Sequence, residues 1–158
     1  MLTGFVHKAY PAVYANLARF AGYDSVAVVR GVEGGVIPSL QQISRFYRYA
    51  AGSEDQFIEI EPTQLGIDQP SRTVRLPDGQ KSLAGASSDT KNAAARTAAE
   101  LGIDALKNIP GAARDSLMYS AAIVLLHLEK FPNLIDAARY VNKVIASGDA
   151  HDRFVGLT

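Results

Sequence analysis

The sequence has no cysteine at any of its 158 positions. Disulfides and thiolate metal sites are therefore excluded, and the usual clue to redox compartment is missing. Neither sign of charge is in excess, because 16 Lys and Arg stand against 16 Asp and Glu. No global field draws in nucleic acid, so only a local patch can do so. Histidine is scarce: His7, His127 and His151 lie far apart and show no metal-ligand spacing. Long apolar runs are lacking too. The aliphatic run Ile123–Leu126 falls far short of the roughly 20 residues a membrane helix needs. The N-terminus has no basic segment leading into an apolar one, so no signal peptide and no membrane partner are expected. A cytoplasmic location is the expectation that remains.

What is present is ordinary for a globular chain, with 47% hydrophobic and 20% charged residues. The length suits one domain, residues 1–158. Tyr10, Val13, Tyr14, Leu17, Ala18 and Ala21 recur at helical spacing, and Gly22 stands where a C-terminal cap ends that helix. Ser25–Val29 is a short β-branched run without alternation, which predicts a strand buried on both faces as in a parallel sheet. It runs into the glycine-rich stretch Arg30–Gly35. Helix, strand and glycine loop in that order are α/β grammar.

Two short peripheral strands are expected over Arg45–Tyr49 and Gln56–Glu61. Residues 69–85, with Pro70, Pro77 and an Asp78-Gly79 turn, read as irregular with a small hairpin. From Ser87 on, the pattern is helical. One helix is expected from a Ser87, Ser88 or Asp89 cap through Glu100, stopped by Gly102. The longest is expected over Ala112–Lys130, with Leu117, Ala121, Val124, Leu125 and Leu128 on one side and Pro132 beyond it. A last helix spans Leu134–Ala146, with His151 after its end.

Several short motifs, in order, resemble one family. Gly4 with His7, the strand and loop Val28–Gly34, Glu61-Pro62 with Leu65-Gly66-Ile67, Tyr119–Ala122 with Leu125, and Ala137-Ala138 through Ser147–Ala150 are each similar to segments of glycosyltransferase family 3. That family holds anthranilate phosphoribosyltransferase, of tryptophan biosynthesis, and a set of anthranilate-phosphoribosyltransferase-like paralogues. The resemblance implies an α/β chain: the second half of the nucleoside phosphorylase/phosphoribosyltransferase catalytic-domain fold. It would be three-layered, with few strands and a helical C-terminal half. It also implies that the preceding helical domain is missing, along with the Gly-Thr-Gly-Gly-Asp loop that binds phosphoribosyl diphosphate. A half-domain would expose faces that the first half covers, so an oligomer or a partner segment is expected.

For function, the resemblance points to a cleft segment of a transferase for phosphoribosyl diphosphate and an aromatic acceptor, not catalytic alone. Substrate-binding candidates are His7, Arg30, Gly31, Glu33 and Gly34. The family's magnesium-holding Asp-Glu pair aligns with Val36 and Ile37, which offer no oxygen ligand, so no magnesium or other cofactor is expected in this chain. The paralogues often lack that pair, and some bind nucleic acid. Arg45, Tyr47 and Arg48 are therefore nucleic-acid candidates, with Arg72, Arg75 and Lys81 as a further basic contribution. Each candidate also has a plain structural reading. His7 can cap a helix, the glycines can make an ordinary turn, Arg30 and Glu33 can pair locally, and charges on an outer strand can guard against aggregation.

Overall fold

Small side chains decide how the first helix sits. In the computed structural model, which describes residues 1–7, 10–76 and 87–157, helix α1 spans Pro11–Phe20 and buries only Pro11, Ala15 and Ala18. Proline at the first helical position costs no hydrogen bond, and the two alanines let the helix lie close on the sheet. The stripe of large apolar residues at helical spacing faces outward instead. Val13, Tyr14 and Leu17 are exposed, and Phe20 is 93% exposed.

The sheet has four strands in the order β1-β2-β3-β4: β1 Leu2–Gly4, β2 Ser25–Val29, β3 Ser44–Ala50 and β4 Gln56–Ile60. β1 runs parallel to β2, with α1 as the crossover, while β2–β3 and β3–β4 are antiparallel. The unalternating run of β2 is buried on both faces as expected, but only one of its neighbours is parallel. β3 is not peripheral: it lies between β2 and β4, and Ser44, Phe46, Arg48 and Tyr49 are buried. Its mixed aromatic-basic composition reflects two different buried faces rather than one exposed face.

Strand alternation splits the core into two layers. Val26, Val28 and Tyr49 join Phe5, Ala15 and Ala18 under α1. Val29, Phe46 and Ile60 join Met118, Tyr119, Ala122, Ile123 and the inner face of the last long helix on the other side. The result is the three-layer α/β arrangement with a helical C-terminal half.

That half contains α2 Ser88–Leu106, α3 Ala112–His127, α4 Leu134–Ser147 and α5 Asp149–Val155. Ser87 caps α2, its hydroxyl accepting from the Thr90 N–H at 3.2 Å. Gly102 does not stop α2, which runs on to Leu106 and is the longest helix described. A glycine inside a helix costs only about 1 kcal/mol relative to alanine, which weakens the helix without ending it. α3 ends earlier than its apolar pattern suggests, because Glu129 turns left-handed at φ 56°.

The stripe expected to be its core face is not the buried one. Ser116, Met118, Tyr119, Ala122, Ile123 and His127 are buried, whereas Val124 and Leu128 are exposed. α3 is apolar around much of its circumference, so periodicity alone could not orient it. Asn133 caps α4, and Gly148 at φ 85° ends it. His151 then lies inside the short α5 rather than beyond the last helix. The expected hairpin at Pro77 and Asp78-Gly79 lies outside the described residues. Among the described residues, no helix is long and apolar enough to cross a membrane.

Candidate functional site

At the carboxyl ends of β1 and β2 the chain folds back on itself. The Phe5 N–H donates to the Val29 carbonyl, and the Arg30 N–H donates to the Arg45 carbonyl, so both strands stay paired up to the loop. The Val32 N–H donates to the Ile37 carbonyl at 2.9 Å and closes residues 32–37 into a tight turn. Inside it, Glu33 at φ 54° and Gly34 at φ 81° are successive left-handed residues. Gly4 and Gly31 are needed for space: a Cβ on Gly4 would run into the Gly34 and Gly35 carbonyl oxygens, and one on Gly31 into those of Gly35 and Ile37. The glycines therefore pack β1 against the turn.

Arg30, Gly31, Glu33 and Gly34 come together here, lining a cavity of about 230 Å³ with Phe5, Val6, Ser39, Gln42, Ser44 and Arg72. His7 lies apart from this lining. It is exposed, its ring sits edge-on to Tyr10 with centroids 5.4 Å apart, and its carbonyl accepts from the Tyr10 N–H just before α1. Arg72 reaches the site because the Leu40 N–H donates to its carbonyl at 3.0 Å. Sequence reasoning misses Ser39 and Ser44. Their signal is local: Ser39 Oγ accepts from the Gln41 and Gln42 N–H groups, a serine turn that Pro38-Ser39 followed by polar residues can suggest.

Val36 and Ile37 are partly exposed and line a groove of about 930 Å³ with Leu2, Val74, Leu101 and Leu117. These aliphatic side chains belong to an apolar surface. Glu33 is the one carboxylate in the turn, and among the described residues no group of three or more His, Asp or Glu could hold a metal ion. Val36 and Ile37 themselves offer no hard oxygen ligand of the kind magnesium takes.

The nucleic-acid candidates do not form one surface. Arg45 and Tyr47 point to the α1 side of the sheet and Arg48 to the other. Arg45 pairs with Glu59 across the strands. The Tyr47 hydroxyl donates to Asp55 at 2.6 Å, and this bond, with burial, pushes its phenol up. Arg48 is buried, bonds Gln56 at 3.4 Å and pairs with Glu129. Beside it, His127 is buried with neither ring nitrogen hydrogen-bonded, and burial pushes its imidazole down. Each of the three candidates thus has a polar or acidic partner. Arg75 is exposed, and Lys81 lies outside the described residues.

No family model matches the sequence, and no curated protein matches it. Solved structures do. Anthranilate phosphoribosyltransferase from Saccharomyces cerevisiae, in complex with 4-fluoroanthranilate, superimposes with TM-score 0.62 at 17% identity. The match covers 94% of this chain and 39% of that one. The chain thus shares the fold of part of that enzyme. The enzyme from Thermus thermophilus matches with TM-score 0.55 at 19% identity, over 97% of this chain and 41% of that chain. A serine-to-alanine variant of the yeast enzyme with magnesium bound matches with TM-score 0.61 at 17% identity, over 94% and 39%. The chain spans about two-fifths of the length of these phosphoribosyltransferases.

Proposed function

We propose that this chain is the C-terminal part of the α/β domain of an anthranilate-phosphoribosyltransferase-like protein of glycosyltransferase family 3, and that it does not transfer phosphoribosyl groups alone. The observation that carries this reading is the match of nearly all of this chain to about two-fifths of each phosphoribosyltransferase. The turn at the strand ends supports the second half of the reading, since Val36 and Ile37 stand where the resemblance would require an acidic pair. The same substitution favours a second reading, a non-catalytic paralogue that binds nucleic acid.

Two titrations test these readings. Phosphoribosyl diphosphate with magnesium is expected to give no saturable heat with this chain, and a clear isotherm would overturn the non-catalytic reading. A single-stranded DNA oligomer in the parallel cell is expected to bind at most weakly, with affinity falling steeply as salt rises. Complete absence of DNA binding at low salt would remove the paralogue reading.

The exposed stripe Val13, Tyr14, Leu17 and Phe20 supports self-association through α1, since contiguous apolar patches on a soluble chain mark interfaces. Light scattering during size exclusion is expected to give twice the 16.9 kDa chain mass, and Leu17→Glu is expected to halve it. A monomer at all concentrations would refute this.

A further inference from the structure

We infer that the open edge of β4 and the apolar groove beside it form a docking site for an extended segment of a partner protein, one in which Lys or Arg alternates with aliphatic residues. Such a segment would add a strand to the sheet. Three observations carry the inference.

The first is the edge. β4 has β3 on one side and no strand on the other among the described residues. The Arg30 N–H donates to the Arg45 carbonyl and the Ala51 N–H to the Asp24 carbonyl, so the odd-numbered residues from 45 to 51 turn their backbone groups toward β2. Backbone groups of an antiparallel strand alternate between its two neighbours. Ser44, Phe46 and Arg48 therefore bond β4 through Ile60, Ile58 and Gln56. What remains at the open edge are the N–H and C=O groups of Phe57 and Glu59. Glu61, at φ −91° and ψ 125°, continues the extended course up to Pro62.

The second is the groove. It measures about 720 Å³ and lies on the α3 side of the same strand, between Ile58 and Ile60 and the ends of α3 and α4. Leu126, Phe131, Leu134 and Ile135 form its far wall. Side chains of an added strand would alternate faces in step with β4. Those beside Ile58 and Ile60 would enter the groove, and those beside Phe57, Glu59 and Glu61 would lie on the opposite face. Arg48 and Lys130 balance Glu59 and Glu129 in the lining, so the groove itself has no net charge and suits aliphatic side chains.

The third is charge. From Tyr49 to Ser71 the chain carries Glu54, Asp55, Glu59, Glu61 and Asp68 but no Lys or Arg. Arg19 and Arg45 engage Asp55 and Glu59, whereas Glu54 and Glu61 have no ion pair among the described residues. Two copies of β4 fit each other poorly. A two-fold antiparallel pairing centred on Ile58 sets Asp55 of each copy opposite Glu61 of the other, and centring on Phe57 or Glu59 also opposes carboxylates. Like charges directly opposite destabilise a strand pair, and opposite charges stabilise it. The edge therefore accepts a basic residue facing Glu59 or Glu61 and turns away a second copy of itself.

The test is fluorescence anisotropy, at fixed ionic strength, with a labelled Lys-Ile-Lys-Ile-Lys peptide whose ends are blocked. Saturable binding is expected, with Glu-Ile-Glu-Ile-Glu weaker by about tenfold or more. Two further probes carry backbone N-methyl groups, one on its lysines and the other on its isoleucines, with the same charge in both. Only the nitrogens that face β4 donate to it, so one of these probes is expected to lose about tenfold in affinity and the other to keep most of it. Ile135→Glu and Glu61→Lys, both at exposed positions, are expected to melt like the parent and to weaken binding of the lysine peptide. Absence of saturable binding, equal effects of the two N-methyl probes, or binding that neither substitution changes would overturn the proposal. So would a dimer that persists in Leu17→Glu and is broken by Ile135→Glu, which would assign the edge to a second copy.

Discussion

Tyr119→Ala is expected to destabilise the protein by about 3–5 kcal/mol, the range for removing a large buried aromatic, and to lower its melting temperature by on the order of 10 °C. Tyr119 is fully buried in the larger core layer, beneath the sheet and among side chains of α3 and α4. Its environment is apolar enough that burial pushes the phenol up to about 12, with the neighbouring Ser44 hydroxyl working the other way. That hydroxyl is close, yet no hydrogen bond of good geometry closes on the phenol oxygen. Tyr119→Phe therefore removes a buried polar atom without a partner and keeps the ring. It is expected to stay within about 1 kcal/mol of the parent. Urea unfolding of both variants tests the pair. A loss of more than about 2 kcal/mol in Tyr119→Phe would show that the hydroxyl is bonded after all, with Ser44 the partner to examine.

Gly31→Val is expected to cost about 1–3 kcal/mol, as overpacking does in a tight site. Gly31 has φ −83° and ψ 172°, a conformation open to any residue, so backbone strain is not the reason. The reason is space. A Cβ would collide with the Gly35 carbonyl and lie 2.8 Å from the Ile37 oxygen, and both are backbone atoms that move only if the turn opens. Gly102→Ala is the matched control: nothing lies within 4 Å of the added methyl group. There, inside α2, alanine is expected to stabilise by about 0.5–1 kcal/mol. Opposite signs from two glycines, measured by thermal unfolding, would establish that the Arg30–Ile37 turn is held by contact. Equal, small effects would contradict that.

Much of the architecture was legible because it is written locally. The β-branched run of β2 and the serine cap before α2 each act within a few residues, and each element formed where these signals stand. The helix faces were less legible. In α1 the bulky stripe points to solvent and two alanines meet the sheet, because close approach of the backbones, rather than side-chain size, sets that contact. In α3 a sequence apolar on most sides gave periodicity nothing to select. The site was half legible. Arg30, Gly31, Glu33 and Gly34 are neighbours in sequence and stay neighbours in the cavity, whereas Arg72 and Ser39 join them only through the loop that returns past Leu40.

By itself the sequence determined which side-chain chemistry is absent from the Arg30–Ile37 turn. Without cysteine, and with aliphatic residues following Gly35, neither thiolate chemistry nor an acidic metal pair is possible in the turn, since side chains that lack donor atoms lack them in every fold. It also located β2 and the helices α1 to α4, because caps, glycines and β-branched runs act over short range, whereas β1 and α5 carried no such signal. The tertiary structure decided which charges remain available. Arg45 and Arg48 are three residues apart in one strand, yet alternation sends them to opposite faces, where each meets a carboxylate. Arg30 and Arg72 are distant in sequence and are brought to one cavity with no such partner among the described residues. Charge neutralisation depends on what lies across space, and only the packed chain fixes that.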